Sequence, residues 1–499
     1  MKRLFFGGLT AIAALTPGFA QQIPDTTQRG QRVFAEAGGL VASGSSTPFW
    51  LRSRQYGIVP LNAPAGLVRV GAVRFLGDPD NPKQVHLKLG LEAVGTAAPG
   101  AARVLLPEAY ASARLGAFEL YVGKRREVFG LGDTLLTSGS YAWSGNAMPI
   151  PKLQIGTRGF VPVGFTKGIL AVSALYAHGW FSNTDSVQGS FLHQKALFGR
   201  VSLFRNRVRL FGGVTHHAQW GGRSEAVGKL APGGRLPSSL RDYWRVITVD
   251  QPPASDSAQY SQFDLLNRVG NHLGSIDVAL ELAGSRANWY LYYQHPFEDK
   301  SGVAMQNMPD GLYGLRWRNA APEIGTGFRL QQVTAELLTT MNQGGFTIDT
   351  KNRQYDGADD YFNNYQYRDG WTHQQRVLGT PFLTRYLDTR PDLRDLRGGF
   401  GRMMISNNRV QVLHLGLLGG WPSGVQVRAL VSHSRNFGRP IWHDPRTPRT
   451  QLSGMAEVLV PVRWGTQSQV RLTVAADEGR WLSNSLGAML SFRTLLSQR

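Results

Sequence analysis

The stretch Val85-His86-Leu87-Lys88-Leu89-Gly90-Leu91-Glu92 sets Val85, Leu87, Leu89 and Leu91 on one face and His86, Lys88, Gly90 and Glu92 on the other. A period of two is the mark of a β-strand, whose successive side chains point to opposite sides. The pattern recurs along the chain. Phe118, Leu120 and Val122 oppose Glu119, Tyr121 and Gly123, and Ile276, Val278, Leu280 and Leu282 oppose Asp277, Ala279, Glu281 and Ala283. Tyr313, Leu315 and Trp317 oppose Gly314, Arg316 and Arg318, and Val425, Val427, Ala429 and Val431 oppose Gln426, Arg428, Leu430 and Ser432.

In a soluble sandwich such faces mean core and solvent. In an outer-membrane barrel they mean lipid outside and a polar lumen inside. Three features favour the barrel. Polar faces carry charge beside glycine, as in Lys88-Gly90-Glu92, which suits a wet interior. Aromatics gather near segment ends, as interfacial girdles do: Tyr176, Trp180 and Phe181; Trp289, Tyr290, Tyr292 and Tyr293; Trp421; Trp464. The alternating segment Leu486–Phe492 near the C-terminus can pair with the first strand and leave no edge, although Arg493–Arg499 continues past it.

The N-terminus reads as a signal peptide. Lys2 and Arg3 precede an apolar run, Leu4–Leu15, and Thr16-Pro17-Gly18-Phe19-Ala20 ends in small residues. The run is too short to span a bilayer, which takes roughly 20 apolar residues. Cleavage after Ala20 leaves 479 of the 499 residues. At about 25 to 30 residues per strand and connection, that length holds roughly 16 to 19 strands. Even closure leaves about 16 or 18 strands. The expected organisation is a signal peptide over 1–20 and one transmembrane antiparallel all-β barrel over 21–499, in the outer membrane of a Gram-negative bacterium. Lipid, lipopolysaccharide and the outer-membrane assembly machinery are then its expected surroundings. Irregular stretches, Gly221–Gln259, Asp349–Arg397 and Pro440–Thr450, are expected as long outward loops.

The chain has no cysteine, so disulfides, thiolate metal sites and thiol catalysis are excluded. Its formal charge is +20, or +18 without Lys2 and Arg3. Such a balance points to an anionic partner. Export makes nucleic acid a poor one; acidic surface polysaccharide, lipopolysaccharide or small anions fit better.

The sequence has no nucleophile elbow, zinc-protease helix, phosphate loop or dinucleotide fingerprint. His216 and His217 are neighbours on a strand and point apart, so they do not share a metal ion. His178 lies among aromatics in Tyr176–Phe181, as packing rather than as a base. No cofactor, metal or catalytic residue is expected. Three segments stand out: Thr47–Gly57, Gly123–Pro151, and Asp360–Tyr367 with Gly370–Pro381. They mix aromatics with Arg, Asn and Asp. Aromatic faces stack on sugar C–H groups, and the polar groups hydrogen-bond hydroxyls and carboxylates. The same residues also serve as girdle and turn formers. The candidate polysaccharide contacts are Arg52, Arg54, Arg125, Arg126, Trp143, Asn146, Tyr361, Asn363, Asn364, Tyr365 and Trp371.

At these segments the sequence resembles the capsule assembly Wzi family. The matching stretches are Pro48–Pro60, Gly123–Pro151, Tyr176–Phe181, Tyr361–Pro381 and Ser434–Gly438, which together span most of the mature chain. The resemblance implies an 18-stranded barrel and a lectin-like, non-enzymatic role, with outward loops holding capsular or exopolysaccharide at the cell surface. The family's best-understood type places a periplasmic helical bundle before its barrel. Here the first strand-like pattern, Arg32–Ala37, opens about a dozen residues after the cleavage point and leaves little room for one.

Three functions are then weighed. A polysaccharide-anchoring barrel leads. An anion-selective channel lined by arginine is the alternative. A barrel hydrolase needs a nucleophile, base and orienting acid that spacing does not reveal.

Overall fold

A computed structural model describes residues 30–498, apart from 79–80, 185, 225–226, 228–230, 257–258, 323–324, 346–357, 394–403, 440–446 and 466. The signal peptide expected over residues 1–20 lies outside the described residues, as does everything before Gly30.

Alternating segments become the staves of one closed antiparallel barrel. They are β1 Gly30–Ala42, β2 Ala65–Leu76, β3 His86–Ala98, β4 Ala101–Leu115, β5 Phe118–Lys124, β6 Lys152–Thr157, β7 Leu170–Trp180, β8 Phe191–Leu203 and β9 Val208–Trp220. The ring continues through β10 Asn271–Ala283, β11 Ala287–Phe297, β12 Gly311–Asn319, β13 Arg329–Thr339, β14 Val410–Gly420, β15 Gln426–Asn436, β16 Arg449–Val462, β17 Ser468–Gly479 and β18 Ser485–Gln498. A short piece, Val161–Pro162, continues β6 along the same neighbour, β7. The ring thus has eighteen staves, the even count expected. It closes where β1 pairs with β18, from Arg32 opposite Gln498 to Ala42 opposite Gly487. The terminal strand therefore runs well beyond Phe492.

Connections after even-numbered strands are short, such as Gly116–Ala117 between β4 and β5. Those after odd-numbered strands are mostly long and include 43–64, 125–151, 221–270 and 340–409. Barrels of this kind turn their long loops outward and their short turns to the periplasm. Gly221–Gln259 and Asp349–Arg397 lie, in their described residues, at the outward end; residues 440–446 of Pro440–Thr450 lie outside the described residues, and its Arg449 and Thr450 already belong to β16. The long loops run longer than the irregular stretches alone suggest, and 221–270 carries two short helices, α2 Leu240–Thr248 and α3 Gln262–Leu266.

The alternation sorts as a membrane requires. Leu87, Leu89 and Leu91 stand exposed on the outer wall, as do Leu413, Leu415 and Leu417. Trp289, Phe328, Trp421 and Trp464 are exposed at the strand ends near the short turns, and Trp180 near the long loops. Phe181, Tyr290 and Tyr292 do not join the girdle: they are buried on the inner side. Parity explains it, since Tyr290 and Tyr292 alternate with the outward Trp289 and Leu291.

Several inward charges are paired. Arg69 joins Glu36 at 2.7 Å and Glu92 at 3.1 Å, linking β1, β2 and β3. Glycine on the polar face has a packing reason as well: a Cβ on Gly90 would collide with the Tyr110 ring, and one on Gly314 with Tyr292. Large inner rings lie over cross-strand glycines.

Leu415, midway along β14, faces lipid. We predict that Leu415→Arg lowers stability by about 2–4 kcal/mol, the range for arginine at mid-bilayer. Urea unfolding in lipid vesicles reads this directly, and an unchanged midpoint would mean that this wall does not face hydrocarbon.

Candidate functional site

Three outward loops turn back into the barrel and pack on one another. The first, 43–64, contains the helix α1 Phe49–Arg52. Phe49 and Trp50 are buried, and the Phe49 amide donates to Asp477 of β17 at 2.7 Å. The second, 125–151, crosses the lumen. Its Leu131 amide donates to Asp277 of β10 at 2.6 Å, and its Leu136 carbonyl meets His414 of β14 at 2.6 Å. Asp133 accepts from Gln332 and Thr334 of β13 at 2.9 and 3.1 Å. The described residues of the third, 340–409, pack on both, with Trp371 on the second loop and Phe382 on Phe49 of the first.

Irregular backbone in a dry interior needs partners for each N–H and C=O. The loops supply them to one another. Ser144 and Thr380 amides donate to the Leu378 and Tyr141 carbonyls, each at 2.9 Å. The Trp371 indole donates to the Ala142 carbonyl at 2.7 Å, and the Asn146 amide nitrogen to Val377 at 3.0 Å. Arg54 donates to the Thr134 and Thr137 carbonyls at 2.8 and 2.6 Å, while its own amide donates to Asn146 at 3.1 Å. Trp143 stacks on His217 of β9 with ring centres 5.5 Å apart and meets Trp371 edge-on at 6.1 Å. The neighbouring His216 points outward and pairs with His272, so the two histidines face opposite sides of the wall.

The sequence candidates therefore fall into groups. Arg54, Trp143, Asn146 and Trp371 converge in the heart of the plug. Arg52, on α1, reaches Asp388 at 3.5 Å. Arg125 bridges Glu119 and Glu127 at 3.0 Å each, and its guanidinium lies 3.9 Å from the Tyr121 ring centre. Arg126 pairs with Glu92 at 2.6 Å. The space between Arg125, Trp143 and Tyr56 is about 10 Å³, room for one water rather than a sugar. Tyr361 is fully buried; it donates to Asp310 at 3.1 Å and accepts from Asn307 at 2.6 Å. Asn363 is buried and holds both the amide and the carbonyl of Ile405. Asn364 and Tyr365 remain partly exposed, with Tyr365 stacked on Phe263 of α3.

Sequence reading missed Arg376, Arg385 and Asp388. Buried Arg376 donates to the Val59 carbonyl at 2.6 Å, and burial pushes it down to about 9. Burial pushes the Asp388 carboxyl up, but Arg385, Arg52 and Arg376 outweigh it and hold Asp388 well below the usual carboxylate range. Nearby, burial has the opposite outcome. It pushes Asp310 up to about 6 against hydrogen bonds from Asn342, Gln343 and Tyr361, and drives Glu298 and Asp359 well up. The rim of the crown is basic: Arg103, Arg223, Arg235, Lys300 and Arg480 are exposed there.

Two outcomes follow. Arg54→Ala leaves two buried carbonyls unmet, each costing about 1–3 kcal/mol. Planar-bilayer recordings should then show larger and more frequent openings than the unaltered protein, and identical records would show that the loop is held without Arg54. The second outcome concerns pH. Carboxyls raised in the folded state add stability that is full below their unfolded value, about 4, and is lost as pH rises through the folded value. For Asp310 that value is about 6. The amides of Asn342 and Gln343, which donate to Asp310, should therefore exchange hydrogen more slowly at pH 5 than at pH 7.5 after correction for intrinsic rates. Greater protection at the higher pH would contradict this.

A family model described as capsule assembly protein Wzi matches residues 81–384. Among solved structures, Escherichia coli Wzi, described as an outer-membrane protein involved in group 1 capsule assembly and a carbohydrate-binding β-barrel, is 13% identical at a TM-score of 0.56, over 93% of this chain and 85% of that one. Pseudomonas aeruginosa OccK5 (OpdH) is 8% identical at a TM-score of 0.46, over 96% and 99%. A BenF-like porin from Pseudomonas fluorescens is 8% identical at 0.44, over 94% and 99%. No curated protein matches the chain significantly. With a family match over well more than half its length, on an eighteen-stranded outer-membrane barrel, the chain belongs to the capsule assembly Wzi family.

Proposed function

We propose that the chain binds an acidic capsular or exopolysaccharide on its outward crown and holds it at the cell surface without breaking bonds. The observation that carries this reading is a lumen crossed by hydrogen-bonded loops beneath exposed Arg103, Arg223, Arg235, Lys300 and Arg480. A plugged barrel serves its outer surface better than its bore. The rim offers cations for carboxylates, and the partly exposed Tyr365 and Asn364 offer a stacking face and an amide to a sugar. The other candidate residues act in this reading by fixing the crown's shape: Arg52, Arg54, Arg125, Arg126, Trp143, Asn146, Tyr361, Asn363 and Trp371. The family's carbohydrate-binding barrel from Escherichia coli supports the same class of ligand. Export by residues 1–20 and insertion into a Gram-negative outer membrane by its assembly machinery belong to this proposal.

In a deletion strain, polymer should move from the cell-bound to the released fraction while total synthesis stays the same. In vitro, the purified barrel should bind the host's acidic polysaccharide at low salt and lose it as salt rises, because exposed charges are screened within about 10 Å at 0.1 M. The combined change Arg103→Glu, Arg223→Glu and Arg235→Glu should weaken binding at least tenfold, about 1.4 kcal/mol. An unaltered partition between cell and medium, together with no affinity at low salt, would sink the proposal. An open anion-selective pore in bilayer recordings would favour transport instead.

A further inference from the structure

Four adjacent strands carry an unusual layer on their outer wall. Tyr176 and His178 of β7, His193 and Lys195 of β8, His216 of β9 and His272 of β10 all point away from the lumen. In the ladder His193 stands opposite His178, and Lys195 lies between Tyr176 and His216. The next outward layer toward the periplasm is Ala174, Leu197, Val214 and Ile276, with Leu197 and Val214 exposed as part of the lipid belt. Polar and ionisable groups thus sit directly above the hydrocarbon band, where exposure to lipid would be costly.

The helix α2 covers the part of this layer on β7 and β8, while His216 lies against Phe297 and His272 meets the Val269 carbonyl. Its Tyr243 hydroxyl meets that of Tyr176 at 2.8 Å, and its ring stacks on Trp220 with centres 4.9 Å apart. Tyr243 also touches His178 and His193 edge-on, at 5.3 and 5.8 Å. Val246 is fully buried, and the Lys195 ammonium donates to the Ile247 carbonyl. A Ser239–Asp242 capping box fixes the first turn, and Tyr260 donates to the same Asp242. One face of α2 is therefore committed to the wall.

The other face is the exposed one, with Leu240, Trp244 and Thr248 on it and, at its edge, Arg241, whose side chain is 62% exposed and pairs with Asp256 at 3.3 Å. Leu240 is 88% exposed and Trp244 63%. Four residues apart, they share one side of the helix. That side points away from the barrel axis at the level where the lipid belt ends. Trp180, exposed at the top of β7, lies 5.1 Å from His178 between ring centres, and His178 is the ring that Tyr243 of α2 touches. Tryptophan favours the membrane interface, and amphipathic helices lie in its plane.

We propose that α2 is an interfacial helix: Leu240 and Trp244 sit in the outer leaflet, and the helix seals the part of the histidine layer on β7 and β8 from lipid. Its back face continues the lipid-facing belt, so the committed partner is the bilayer itself. The helix holds this place with or without a polysaccharide on the crown.

The absence of cysteine makes the test clean. Trp244→Cys and Leu240→Cys each accept a single environment-sensitive fluorophore, with Gln188→Cys as the reference on the exposed crown. The labelled proteins are folded into phosphatidylethanolamine–phosphatidylglycerol vesicles that carry a shallow nitroxide lipid. Heat-modifiable gel mobility confirms the barrel. Labels at 244 and 240 should emit to the blue of the label at 188. They should be quenched severalfold more by the nitroxide lipid and severalfold less by aqueous iodide. Iodide quenching equal to that at 188 would overturn the proposal. Shielding from both quenchers would overturn it too, by showing that a second protein copy covers the helix.

Discussion

Every backbone N–H and C=O that enters the hydrocarbon must find a partner in the protein, because an unmet group there costs several kcal/mol. A sheet meets that demand only by closing on itself. The pairing of β1 with β18 is therefore the contact on which the rest depends. Closure fixes an outer wall of leucine and valine and an inner wall of arginine, glutamate and tyrosine. It also leaves chain free at two ends only. Since even-numbered strands end in short turns, the outward loops are the material from which a site can be built.

The lumen then sets a second demand. Its polar wall and the loops that enter it must satisfy each other, and they do so across long sequence distances. Trp371 caps Ala142, Arg54 caps Thr134 and Thr137, and Asp133 collects Gln332 and Thr334. The ring of Arg69, Arg125 and Arg126 with Glu36, Glu92, Glu119 and Glu127 does the same lower down. Much of the basic character that suggests an anionic ligand is spent inside the molecule, while another part lies on the rim.

The barrel was legible because its physics is local. Alternation is written in eight residues at a time, so Leu87 to Leu91 alone assign an outer face. The even strand count follows from length and closure. The plug was not legible, because its partners lie far apart: Trp371 and Ala142 are separated by 229 residues, and no period joins them. Arg125 and Arg126 are the instructive case. Glu92 and Glu119 already stood on the inward faces of β3 and β5, and inward arginines beside inward glutamates signal ion pairs before they signal a ligand. Tyr290 and Tyr292 teach the same lesson: clustering near strand ends suggested a girdle, but parity with Trp289 sent them inward.

The link from the Phe49 amide to Asp477, 428 residues on, has a bearing on time. Contacts so distant form late, since the chain between them must be ordered first. The first loop cannot find its seat until the seventeenth strand has arrived, and that strand is among the last to be made. A nascent barrel with its ring unfinished would thus hold its first loop loose, with Phe49 and Trp50 unburied. Completion of the wall and settling of the plug become one cooperative event, and a mis-closed molecule would display those aromatics as its own flag for removal.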